Sequence, residues 1–226
     1  MVVGLGNPGS RYARTRHNVG QLVVERLAER LGVRKFAAKY AGQFAEVSTP
    51  RGPVALLVPT TYMNLSGESA GPAAGALHAA RPQVLVVHDE LDLPFGVVRG
   101  KSGGGAGGHN GLRSLTQSLG GPDYLRVRLG VGRPPAVFRG DQADWVLMGF
   151  NEPAAQVNAM IDSGVRMVEA ILGEGMDAAI GRLHASEPGS RAKERRLRKE
   201  AERKSAEPAV EDGADSGTPD PAGEPS

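Results

Sequence analysis

The residues best placed to do chemistry are a histidine at the mouth of a helix, His17 in Thr15-Arg16-His17-Asn18, and an aspartate just past a strand, Asp89 in His88-Asp89-Glu90-Leu91-Asp92. Each follows an apolar run, Val2–Leu5 and Val84–His88, and ligands of open α/β sheets gather where strands end. If those two strands are neighbours, the side chains meet. A carboxylate on one ring nitrogen fixes the imidazole tautomer and stabilises its protonated form, leaving the other nitrogen to take a proton from water. Asn7, Asn64 and Asn110 stand at similar loop positions. An amide offers both a donor and an acceptor, which suits holding a carbonyl together with a hydroxyl or N–H. The set describes a polar hydrolytic site without a covalent nucleophile. The chain has no cysteine, no G-x-S-x-G elbow and no H-E-x-x-H or other metal spacing. Taken singly, each residue is also what a helix cap or a turn requires, so the set carries the argument.

Two glycine patterns offer rival readings and fail on context. Gly4, Gly6 and Gly9 spell G-x-G-x-x-G, but a dinucleotide fingerprint needs its helix to start at the glycines. Here Pro8 interrupts the motif, and the polar stretch Ser10–His17 intervenes before helical periodicity begins. Gly100-Lys101-Ser102 resembles the end of a P-loop, yet Phe95 occupies the position of the first glycine. A divalent ion on Asp89, Glu90 and Asp92 is a further alternative, implying a metal-dependent phosphoesterase.

The elements that must position these residues follow from periodicity. Val2–Leu5 reads as a short buried strand, and Asn18–Leu31 as an amphipathic helix with Asn18 as N-cap and Gly32 as its stop. Strands are expected near Gln43–Ser48 and Val54–Val58, joined by the turn Pro50-Arg51-Gly52-Pro53. A small-residue helix then runs to about Ala80, with Pro72 in its first turn. Val84–His88 is the clearest central strand, followed by a short strand at Gly96–Arg99. The glycine-rich loop Gly103–Gly111 leads into a helix ending near Leu119. Leu125–Val131 alternates Leu125, Val127 and Leu129 with Arg126 and Arg128, the period of a strand with two faces. Helices at about Pro153–Leu172 and Met176–Leu183 complete the body. The expectation is a single α/β domain, a twisted mixed sheet flanked by helices, over residues 1–186.

Residues 187–226 change character: a basic block, Arg191–Lys204, precedes a stretch of Pro, Glu, Asp, Gly, Ser and Ala. Such a composition cannot bury a core, so this tail is expected to be disordered apart from a transient charged helix at 191–204. The body, by contrast, is mildly basic, within a 226-residue chain of net charge +2. Arg11, Arg14 and Arg16 cluster near the opening motif; Lys101, Arg113, Arg126, Arg128 and Arg133 cluster later. That pattern is compatible with a polyanionic partner. No apolar run approaches a membrane span and no signal pattern opens the chain, so a soluble cytoplasmic protein without membrane partners is expected.

Five separated motifs resemble those of the bacterial-type peptidyl-tRNA hydrolases, in family order. They are Gly4-Leu5-Gly6-Asn7-Pro8-Gly9, Thr15-Arg16-His17-Asn18, Met63-Asn64-Leu65-Ser66-Gly67, His88-Asp89-Glu90-Leu91-Asp92, and the run from Gly103 through His109-Asn110-Gly111. The resemblance spans residues 1 to about 185. It implies cleavage of the ester between a peptide, or an N-blocked aminoacyl group, and the 3′-terminal ribose of tRNA, recycling tRNAs released prematurely from ribosomes. On this resemblance His17 is the catalytic base, Asp89 its supporting carboxylate, and Asn7 the residue that distinguishes blocked from free aminoacyl-tRNA. Asn64 and Asn110 position substrate, Tyr12 and Tyr62 are aromatic tRNA-site positions, and Lys101 and Arg128 contact tRNA phosphate. Tyr62 stands where phenylalanine is common. The expected partner is peptidyl-tRNA, the expected state a monomer, with no metal and no cofactor. A non-catalytic RNA-binding protein using the same basic surface is the alternative from another class.

Overall fold

The apolar runs of the central strands must be covered on both faces. Val2, Val3, Leu56, Leu57, Val86 and Val87 are buried on both sides of their strands, as expected of parallel strands covered by helices on each face. The computed structural model describes residues 1–185, of which Met1–Leu183 form one compact unit. The expectations for a disordered tail and for a helix at 191–204 lie outside the described residues.

The chain forms β1 (Val2–Gly4), α1 (Val19–Arg30), β2 (Ala37–Lys39), β3 (Gly42–Thr49), β4 (Gly52–Pro59) and α2 (Ser66–Ala76). Then come β5 (Leu85–Glu90), β6 (Val98–Ser102), α3 (Asn110–Leu119), β7 (Leu125–Gly130), α4 (Gln142–Val146), α5 (Ala154–Glu174) and α6 (Met176–Ala185). One seven-stranded mixed sheet has the order β2-β3-β4-β1-β5-β7-β6. β1 lies parallel between β4 and β5, β5 is parallel to β7, and the outer pairs are antiparallel. The adjacency of β1 and β5 is what the His17–Asp89 argument required.

Alternation along the strands divides the core into two layers. Val2, Leu56, Leu85, Val87, Val127 and Leu129 pack with α1, α5 and α6. Val3, Ala55, Leu57, Val84 and Val86 pack with α2 and α3, beside Leu112, Leu115 and Tyr124. Burying each such aliphatic side chain is worth roughly 1.5–3 kcal/mol.

The opening glycines have a packing role. A Cβ on Gly20 would lie 2.1 Å from the Val87 carbonyl oxygen, and one on Gly4 would lie 2.6 Å from the Gly20 oxygen. The absence of those side chains lets the first turn of α1 dock on the ends of β1 and β5, where Gln21 N–H donates to the Leu5 carbonyl at 2.9 Å.

Several local expectations are corrected. Asn18 occupies the N-cap position of α1 but its side chain makes no cap bond; it is drawn to Asn7 instead. α2 ends at Ala76, not Ala80, and Pro72 lies inside it. Pro72 and Glu68, whose carbonyl loses its helical donor, are both exposed, so water can satisfy that carbonyl. The β3–β4 hairpin is tighter than the Pro/Gly cluster suggested, with Thr49 paired to Gly52 across Pro50-Arg51. The strand expected at Gly96–Arg99 runs Val98–Ser102. β2 and α4 lack a legible apolar period because each is very short, three and five residues.

Candidate active site

Asp89 is 4% exposed at the end of β5, and an isolated buried carboxylate is costly unless hydrogen bonds and charge compensate it. Two imidazoles do so. Asp89 Oδ1 lies 2.9 Å from His17 Nδ1 and 3.0 Å from His109 Nε2. His17 arrives on a short 3-10 turn, Arg16–Asn18, that leads from the polar loop into α1. His109 caps α3: its Nδ1 accepts from the backbone N–H groups of Gly111 at 3.1 Å and Leu112 at 3.4 Å. An acceptor at Nδ1 leaves the donor at Nε2, so the helix cap sets the tautomer that points an N–H at Asp89. The same logic assigns His17 an Nδ1–H donated to Asp89, leaving Nε2 as the basic nitrogen.

The electrostatics agree with that arrangement. Burial alone would raise the Asp89 carboxyl, but the charges and hydrogen bonds of His17 and His109 outweigh it and hold Asp89 well below the usual carboxylate range. Burial alone would lower His17, yet the Asp89 charge and hydrogen bond prevail and raise it above its ordinary value. His88, fully enclosed, is pushed down to about 3 by burial and by the neighbouring His109. It is therefore neutral, with Nδ1 at 2.7 Å from the Asp89 carbonyl oxygen and Nε2 buried without a partner.

His17, Asp89, His109 and Asn110 line a cavity of about 140 Å³ together with Leu91, Ala106 and the α4 residues Gln142 and Val146, among others. Asn7 is held from both sides: its N–H donates to Asn18 Oδ1 at 2.9 Å, and its carbonyl accepts from Asn18 Nδ2 at 2.8 Å. Its own Oδ1 accepts from the Met63 N–H at 2.9 Å, which ties the first loop to the 3-10 turn Met63–Leu65 that carries Asn64. The Asn7 side-chain NH₂ remains the available donor. Asn64 is exposed, and Asn110 is exposed with its Oδ1 accepting from Arg113 at 3.2 Å.

Asn7 and Asn64 do not line that cavity, and neither do Tyr12, Tyr62, Lys101 and Arg128. Tyr62 is 59% exposed; Tyr12 is half-buried with the Arg11 guanidinium 5.7 Å from its ring centre. Lys101 is exposed on β6, its amine against Gly104. Arg128, on β7, is half-buried and 3.7 Å from Glu90.

Two arginines grouped with the basic surface prove to be internal. Arg16 is fully buried, its guanidinium 3.9 Å from the Trp145 ring centre, donating to the Gly149 carbonyl and paired with Glu152 at 3.1 Å. Arg126 is 2% exposed and donates to the carbonyls of Gly104 and Gly105. Charge in a sequence does not reveal which guanidinium is spent on backbone carbonyls. Each instead fastens a loop, Arg16 the segment after α4 and Arg126 the glycine-rich loop before α3.

The carboxylates proposed for a divalent ion do not converge. Asp89 faces the imidazoles, Glu90 faces Arg128, and Asp92 pairs with Arg133 at 2.5 Å. Among the described residues, the group able to offer metal ligands is His17, Asp89 and His109, within 4.8 Å of one another. A cation there would displace both imidazole hydrogens now shared with Asp89. Of the residues around Asp89, His109 is the one whose role the sequence does not announce. The available signal was its place immediately before the α3 helix, where a side-chain acceptor caps the helix.

A sequence model of the peptidyl-tRNA hydrolase family matches residues 1–193. A peptidyl-tRNA hydrolase of Sorangium cellulosum is 46% identical over 195 residues, spanning 85% of this chain and 87% of its own. That of Nocardia farcinica is 48% identical over 186 residues, spanning 81% and 95%. Among solved structures, peptidyl-tRNA hydrolase from Acinetobacter baumannii superposes with a TM-score of 0.68 at 38% identity, over 79% of this chain and 93% of that one. A complex of peptidyl-tRNA hydrolase with N-propanol gives 0.73 at 38% identity, over 83% and 95%. With a family match over residues 1–193 and relatives 46% and 48% identical over 85% and 81% of its length, the chain belongs to the peptidyl-tRNA hydrolase family.

Proposed function

We propose that this protein hydrolyses the ester joining a peptide, or an N-blocked aminoacyl group, to the 3′-terminal ribose of tRNA, and so returns prematurely released tRNA to use. The observation that carries this reading is the His17–Asp89 pair at 2.9 Å, opening on a cavity in a chain of this family. An ester has a better leaving group than an amide, so an activated water suffices without an acyl-enzyme. His17 Nε2 takes a proton from that water as its oxygen attacks the ester carbonyl. The tetrahedral intermediate then expels the ribose oxygen, which receives the proton back from His17. Asp89 stabilises the imidazolium between those steps, and general-base catalysis of this kind contributes roughly 10²–10⁴-fold. His109 is a positioning residue that holds the other side of Asp89. The Asn7 NH₂, Asn64 and Asn110 hold the peptide end through its backbone, which suits a substrate of variable sequence. Tyr12, Tyr62, Lys101 and Arg128 take the tRNA.

The same reading assigns catalysis to residues 1–186, leaves 187–226 outside it, and describes a cytoplasmic monomer that uses no cofactor. No described helix is long and apolar enough to cross a membrane. Purified protein is expected to release diacetyl-lysine from diacetyl-lysyl-tRNA, and His17→Ala to lower kcat by roughly 10²–10⁴-fold with the fold unchanged by circular dichroism. Tight tRNA binding with no turnover by the wild-type chain would instead make it an RNA-binding protein.

A further inference from the structure

At the sheet edge farthest from Lys101, a groove of about 700 Å³ lies between the segment 34–43 and Thr60. Its lining includes Arg34, Lys35, Lys39, Phe36 and Tyr40, and none of its residues is acidic. No salt bridge joins these three cations to a carboxylate among the described residues. Lys39 is instead 4.7 Å from the Tyr40 ring centre. Unneutralised cations interleaved with aromatic rings form the surface that tracks a single-stranded nucleic-acid backbone.

The groove is also firmly built. The β2–β3 hairpin turns through Tyr40 and Ala41 with φ of 56° and 48°, a two-residue turn that ordinarily uses Asn and Gly at those positions. Such strain persists only where the surroundings fix the conformation. Here Thr60 does so: its N–H and its Oγ1 both donate to the Ala41 carbonyl at 3.0 Å. The next residue, Gly42, leaves little room for a side chain, because a Cβ there would sit 2.9 Å from the Val58 carbonyl oxygen, a backbone atom that cannot swing aside. A tyrosine kept in a conformation costly for its type, at the rim of a cationic groove, marks a surface that presents a ring and charges in fixed register. Thr60 is three residues ahead of Met63, whose N–H binds Asn7. The groove therefore adjoins the loop that carries Tyr62 and Asn64.

We propose that this groove is a second RNA-binding surface, which takes the phosphodiester backbone of an unpaired segment of the tRNA substrate. This rests on the hydrolase reading above. Seven strands at their usual spacing place the two sheet edges roughly 29 Å apart, with the catalytic cavity at the ends of the central strands. A substrate wider than a short peptide ester reaches both edges, so one cationic edge secures one part of the RNA and this groove another.

The test compares wild type with the triple variant R34Q/K35Q/K39Q, which leaves Phe36, Tyr40 and the turn in place. Binding of deacylated tRNA is measured across a salt series, and turnover on a short 3′-terminal adenosine ester that lacks the tRNA body. The variant is expected to bind tRNA about tenfold more weakly at low salt. The slope of log Kd against log salt should shrink by about 0.7 for each phosphate that is no longer neutralised. Its kcat/KM on the short ester should stay unchanged. Unchanged tRNA affinity and slope would overturn the proposal, as would a defect confined to substrates with acidic peptides, which would make the groove a peptide site. An equal loss on the short ester would place the lesion in the catalytic centre and overturn it as well. Failure of the hydrolase reading shows separately, as wild-type protein that binds tRNA and releases no peptide.

Discussion

The middle of the sheet and its two edges treat charge in opposite ways. In the middle, Asp89 accepts from two imidazoles, His109 is fixed by the first turn of α3, and Asn7 is bonded on both sides to Asn18. At the edges, Lys101 on β6 and Arg34, Lys35 and Lys39 around β2 face solvent, without carboxylate partners among the described residues. Proton transfer needs a base and an orienting group held to a fraction of an ångström, and a buried, hydrogen-bonded His17–Asp89–His109 cluster supplies that. Attraction to a phosphate backbone needs charge that is not already spent, and its geometry is forgiving. Arg16 and Arg126 obey the rule of the middle rather than that of the edges: hydrogen-bonded to backbone carbonyls, Arg16 also to Glu152, and packed on aromatic rings, they are structural.

The sharpest way to break this contrast is to loosen the centre. Asp89→Asn is expected to lower kcat by roughly 10²–10⁴-fold, because an amide can present its NH₂ to His17 Nδ1 and so reverse the tautomer. The pH profile carries the sign. Asp89 raises His17, and only neutral His17 can accept a proton, so wild-type activity climbs as pH rises through a value above 6.5. With the carboxylate gone, burial alone acts on the imidazole, and the residual activity should climb at a lower pH. A profile of unchanged position would break the pair.

Arg16 tests whether a buried cation belongs to the middle. Arg16→Ala removes the stacking on Trp145 and leaves Glu152 and the Gly149 carbonyl without their donor. A loss of about 3 kcal/mol is expected for breaking such a partly buried pair. In a chain of this size that lowers the thermal midpoint by roughly 6–12 °C, while the salt dependence of tRNA binding is unaltered. A weaker salt dependence with an unshifted midpoint would return Arg16 to the RNA-facing set.

Lys101→Ala should have the smallest effect. A few-fold rise in KM, no change in kcat, and a salt slope reduced by about 0.7–0.9 are expected when one phosphate loses its cation. A fall in kcat would show that the edge takes part in the geometry of the centre.

Features whose signal is local were legible along the chain. Apolar runs placed the central strands, helical periodicity placed α1, and two residues stood out, His17 at the mouth of a helix and Asp89 at the end of a strand. The sequence could also dismiss the dinucleotide reading of Gly4, Gly6 and Gly9, since the helix begins too late. What it could not say is what Gly4 does, because a close approach to Gly20 depends on a partner distant in the chain. Only the fold places β1 beside β5, lets His109 complete the other side of Asp89 while capping α3, and turns Asn18 to Asn7 instead of capping α1. It also separates the buried Arg16 and Arg126 from the exposed Arg34, which are indistinguishable as letters. The physical reason is the same in each case: hydrogen bonding and desolvation are set by neighbours in space, and a sequence records only neighbours along the chain.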